Sequence, residues 1–154
     1  MDVRLQVIIG MAKSCLNFKG AKHPKIELDL IKLMYTTQNL KLQGKKVKAY
    51  LLVSPPNVHR INHWIKKYNF NNKSNDLEII SFESIDKMEV ILKEKLNNAE
   101  ALQHGVSNKK GIADESKKVF EEYLCNYIKI QHNVEPSTNR AYLGVKWDFC
   151  YIKN

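Results

Sequence analysis

Glu27 and Asp29 are the only acids between Asp2 and Asp76, in the most lysine-rich part of the chain. On a β-strand, alternate residues share a face, so these two carboxylates would sit about 7 Å apart. Such a pair could hold Mg²⁺, while Lys45, Lys46 or Lys48 held phosphate and stabilised developing charge. The chemistry would be metal-dependent phosphodiester cleavage, with Glu27 and Asp29 as catalytic residues and metal ligands, one of those lysines beside them, and Mg²⁺ as cofactor under this reading alone. On a helix the two acids would point about 200° apart and could not share a ligand. The assignment of residues 26–31 therefore decides whether this chemistry exists.

A second group suits anions. Lys19, Lys22, His23 and Lys25 crowd the segment from Ser14 to Lys25. Ser54 and Asn57 flank a Pro-Pro pair where a helix N-terminus would offer N–H groups to phosphate, and His59 and Arg60 follow. The segment is neither a GxGxxG fingerprint nor a Walker A loop, so no nucleotide motif is present. His59 and His63 stand at i and i+4, the spacing for joint metal binding. There is no HExxH, and exposed imidazoles beside Arg60, Lys66 and Lys67 are the simpler reading. Trp64 falls on the apolar face with Ile61 and Ile65, which makes it core rather than a base-stacking platform.

These residues need elements to position them, and the stretch from Val47 to Ser84 supplies the clearest. VKAYLLVS reads as a strand with apolar residues on both faces, as in a sheet covered by helices on each side. Ser54-Pro55-Pro56-Asn57 stops it and opens a helix. Val58, Ile61, Trp64, Ile65 and Tyr68 recur at helical spacing. Asn69 to Asp76 is a polar turn, and Leu77, Ile79, Ile80 and Phe82 form another strand. This is a β-α-β unit with parallel strands. Residues 3–12 read equally as a buried strand or as a helix, because short apolar runs do not settle by periodicity.

If residues 26–31 are a strand, residues 3–83 resemble the core of restriction-endonuclease-like nucleases. That family sets an acid on one strand and Glu-x-Lys on the next. The best match here is Gln43-Gly44-Lys45, where a glutamine replaces the acid. The resemblance is what implies Lys45 as the third catalytic residue.

Further on, Ser84 caps a helix from Ile85 to about Leu102. Residues 103–111 read as a linker, Asp114 to about His132 as a helix, and Arg140 to Ile152 as one alternating strand at the sheet edge. The expected architecture is α/β, a mainly parallel sheet of four or five strands flanked by helices. It would be Rossmann-like or restriction-endonuclease-like and three-layered, with a C-terminal helix-strand extension. Residues 1–102 form the α/β core, and residues 103–154 pack on the same domain.

The chain of 154 residues carries a formal charge of +9. Residues 1–75 hold 14 Lys or Arg against three acids, a balance of +11, and residues 76–154 hold 11 against 13, a balance of −2. That asymmetry favours an anionic partner. No apolar run reaches membrane-span length. Cys15, Cys125 and Cys150 have no CxxC spacing, so neither a disulfide framework nor a zinc ribbon is indicated. With no secretory signal in view, a cytoplasmic protein is expected. The expected activity is binding of a polyanion or nucleotide, nucleic acid foremost, at the C-terminal edge of the sheet. The alternatives are the nuclease above and a non-catalytic interaction protein that forms a homodimer through its C-terminal strand.

Overall fold

The computed structural model describes residues 5–14, 22–102 and 109–153, without the side chains of residues 22–23, 95–102 and 109–115. Its centre is one mixed five-stranded sheet. β1 (Gln6–Ala12), β2 (Lys46–Val53) and β3 (Leu77–Ser81) lie side by side and parallel. β5 (Val145–Lys153) runs antiparallel to β1 on its other side, and β4 (Ser137–Tyr142) runs antiparallel to β5 at the edge. The spatial order is β3-β2-β1-β5-β4. The sheet is therefore mixed: two strand pairings are parallel and two antiparallel.

Alternation along the strands sends residues to two apolar layers. Val7, Ile9, Val47, Ala49 and Leu51 meet α1 (Lys22–Leu42) and α2 (Val58–Lys67) on one face. Ile8, Tyr50, Leu52 and Ile80 meet α3 (Ile85–Leu102) and α4 (Lys109–His132) on the other. Fully apolar strands are what a sheet covered on both faces requires.

The β-α-β unit forms as its sequence pattern predicts, as β2, a 3-10 turn at Pro55–Asn57, α2 and β3. Of residues 3–12, Gln6–Ala12 are strand, and residues 3 and 4 lie outside the described residues. Ser84 caps α3 as expected, its Oγ accepting the Lys87 N–H at 3.1 Å. Residues 103–108 of the anticipated linker lie outside the described residues, and residues 109–111 belong to α4.

Residues 26–31 are helical, within the 21 residues of α1. Ile26, Leu30, Leu33, Thr37 and Leu40 are buried, and their alternating spacing of four and three residues is satisfied only by a helix. Pro24 sits in the first turn, where its missing N–H costs nothing. The helix ends in a Schellman motif. Gly44, with φ +77°, donates to the Lys41 carbonyl at 2.9 Å, and Lys45 N–H donates to the Leu40 carbonyl at 3.0 Å. Gln43-Gly44-Lys45 is thus a helix cap, not the Glu-x-Lys strand of a nuclease.

The segment expected as one strand from Arg140 to Ile152 is a hairpin. Leu143 (φ +54°) and Gly144 (φ +75°) form its two-residue turn, and Tyr142 pairs with Val145. Tyr142 and Val145 pack together on the α1 side, while Ala141 and Leu143 are exposed. β5 also changes face along its length: Trp147 packs on the α1 side and Phe149 on the α4 side. Between them lies Asp148, opposite Asn139 with φ +51°, where the regular pairing lapses. β5 has neighbours on both sides, so it offers no free edge for a homodimer; the edge belongs to β4, which is polar and exposed.

Candidate functional site

β1 is where the fold divides. From its C-terminal end the chain enters α1 on one face, while α4 lies across β1 on the other face. The two helices cover opposite faces of β1, and a crevice opens between them past its C-terminal end. A cavity of about 270 Å³ occupies that position. Ala12, Lys13 and Ser14 form its floor, Lys25, Ile26 and Asp29 come from α1, and Lys117 comes from α4.

The crevice holds both signs of charge. Asp29 is buried and pairs with Lys13 at 2.5 Å, with Lys32 at 3.8 Å. One carboxylate thus orients the lysine at the strand end. Lys25 and Lys117 are exposed on opposite walls. Lys117 stands 3.9 Å from Glu121, one turn further along α4. Burial pushes the Glu121 carboxyl up, and Asp148 adds to the rise while Lys117 opposes it. Asp148 itself accepts the Ala12 N–H at 2.9 Å, which extends the β1–β5 ladder past its last backbone pair. The arrangement can neutralise an anion entering between the two helices, with the lysines as its counter-charges.

The anticipated site residues are distributed as follows. Lys19 lies outside the described residues, and Lys22 and His23 open α1 with side chains that are not described. Ser54 and Asn57 are buried, and the Asn57 amide donates to Ser54 Oγ at 2.5 Å. The two side chains hold each other within the β2–α2 turn, and neither belongs to the described wall of the crevice. His59, Arg60 and His63 are exposed on α2 and do not belong to the described wall of the crevice.

Glu27 and Asp29 are not a metal pair. Helical rotation separates them. Glu27 accepts the Tyr68 hydroxyl at 2.9 Å and meets Lys67 at 3.5 Å, on the α2 side, while Asp29 serves Lys13. Lys45 lies beyond the far end of α1, about 20 Å along the axis from Asp29 at 1.5 Å per residue. No group of three or more His, Cys, Asp or Glu side chains among the described residues is placed to hold a metal ion. The nuclease reading and its Mg²⁺ fall together with the strand they required.

Sequence reasoning missed Lys13, Ser14 and Lys117. Lys13 and Ser14 directly follow the apolar run of β1, a signal that becomes usable once that run is known to be a strand. Lys117 arrives from α4, far away in sequence, and no local pattern marks it.

Against known proteins, the chain matches no family model, no curated protein and no solved structure. Among the described residues, no helix is long and apolar enough to cross a membrane.

Proposed function

We propose that this protein binds a phosphate-bearing ligand of nucleotide size in the crevice at the C-terminal end of β1. The observation that carries this reading is the convergence of Lys13, Lys25 and Lys117 from three elements on one cavity. The strand order β3-β2-β1, with α1 and α2 on one face, makes a Rossmann-like half. In open sheets of that kind ligands bind at the carboxyl ends of the strands, where the helices part.

A nucleotide fits better than a long nucleic-acid strand. At about 270 Å³ the cavity is at the small end of ligand sites, which start near 300 Å³. Four of the described lysines, Lys41, Lys45, Lys46 and Lys48, do not extend it, since they stand at the opposite edge of the sheet, where α1 ends and β2 begins.

The test is calorimetric titration of ATP, with inorganic pyrophosphate and a single-stranded oligonucleotide as comparisons. Lys25→Glu and Lys117→Glu are the informative variants, because both residues are exposed and their loss leaves Asp29 paired. Wild-type protein should bind ATP with an affinity that falls as salt rises, and the double variant should lose about tenfold or more, equivalent to about 1.4 kcal/mol. No binding at low salt, or equal binding by the double variant, contradicts the reading.

A further inference from the structure

The outer face of α1 carries a feature that anion binding does not use. Leu28, Tyr35 and Leu42 recur at seven-residue intervals and are each at least half exposed. They span about 21 Å, some four helical turns. Beside this row runs a groove of about 530 Å³, with Ile31 and Met34 in its floor and Tyr68 and Phe70 on its far wall. Contiguous exposed apolar surface rimmed by polar residues marks an interaction site.

The rim is cationic for a structural reason. Two ion pairs border the groove: Lys41, in its lining, with Asp76, and Lys67 with Glu27, which also accepts the hydroxyl of Tyr68 on the far wall. In both pairs the acid is the covered partner: the lysine side chains are 43–55% exposed and the acids 18–24%. Lys66 and Lys73, close in sequence to Tyr68 and Asn71 of the lining, add exposed positive charge. The acids are thus spent inward, and the surface presents ammonium groups around an apolar stripe.

We infer that this groove docks an acidic amphipathic helix of about four turns. Its apolar side chains would enter the groove at the spacing of Leu28, Tyr35 and Leu42, and its carboxylates would meet the lysine rim. A second copy of the chain is the poorer occupant, since an isologous pairing would set the same lysines against one another.

A labelled synthetic helix of about 15 residues, with leucine on one face and glutamate on the other, serves as the probe for fluorescence anisotropy with the full chain. Saturable binding is expected, weakening as salt rises and falling about tenfold in Tyr35→Glu and in Leu42→Glu. Both positions are exposed, so circular dichroism should show the variants folded. A peptide of the same composition with its apolar residues scattered should not bind. Absence of saturable binding overturns the inference, as does binding that both variants retain. A concentration-dependent dimer that Tyr35→Glu dissolves also overturns it, in favour of the second copy. ATP binding at the crevice is measured separately, so failure of either proposal is distinguishable from failure of the other.

Discussion

At the scale of single residues, Gly10 is set by its neighbours. It lies in the middle of β1 under α4, and a Cβ there would meet Leu124 Cδ2 at 3.2 Å and Ile128 Cδ1 at 3.3 Å. Removing glycine's flexibility from a strand gains roughly 0.5–1 kcal/mol, whereas overpacking costs about 1–3 kcal/mol. Gly10→Ala should therefore lose about 1 kcal/mol and Gly10→Val more, as read from urea unfolding. Titration gives a second residue-scale test. Tyr50 Oη lies 2.7 Å from His132 Nε2 beneath the end of α4. Burial raises the Tyr50 pKa, helped by Glu78 and Tyr127, so the hydroxyl keeps its proton beside the imidazole. Burial lowers the His132 pKa, Lys48 lowers it further, and Glu78 opposes. The unfolded chain then takes up the proton more readily. The stabilisation is full above about pH 6.5 and is lost as pH falls through the folded value. Asp76 behaves alike at lower pH: burial alone would raise its pKa, but Lys41 and Ser74 hold it below the ordinary carboxylate value. Its contribution is full above about pH 4 and fades below. His132→Gln should flatten stability against pH between about 7 and 5, and Asp76→Asn only the more acidic limb. Unchanged slopes in urea titrations across pH would contradict both assignments.

At the scale of elements, what was legible in the sequence depended on how many signals agreed. From Val47 to Ser84, strand pattern, Pro-Pro stop, helical periodicity and polar turn all pointed one way, and β2, α2 and β3 follow them. α1 was ambiguous because its stripe of Leu28, Tyr35 and Leu42 makes the exposed face apolar too, which blurs the helical period. The hairpin was hidden for a different reason. Ala141, Leu143, Val145, Trp147 and Phe149 alternate straight through the two-residue turn, so nothing in the period marks it. Only Gly144 signalled a turn, and it was paired with a leucine where asparagine is the usual partner. Leu143 holds φ +54° while more than half exposed. Leu143→Asn should therefore raise the melting temperature, because asparagine tolerates that conformation better. Gly144→Ala, at φ +75°, should cost about 1 kcal/mol. The reverse order of stabilities would contradict a type I′ turn.

At the scale of the whole molecule, the charge balance of +11 over residues 1–75 is not one patch. Successive elements carry its lysines to different places: Lys13 and Lys25 to the C-terminal edge of the sheet, and Lys41, Lys45 and Lys46 to the other. Composition shows the asymmetry but not this division, which follows from α1 spanning the full height of the sheet. The candidate site was legible in part for the same reason. Asp29 and the edge itself could be singled out from sequence. Their true partners could not, because Lys13 needed β1 to be assigned and Lys117 needed α4 to fold back across β1. The measurement that tests the central claim most directly is the mapping of backbone amide shifts as ATP is added to the full chain. The account predicts perturbations clustered at Ala12, Lys13, Ser14, Ile26 and Lys117. Shifts clustered instead around residues 41–48 and 73–76, at the opposite edge of the sheet, would contradict it, as would no shifts at all.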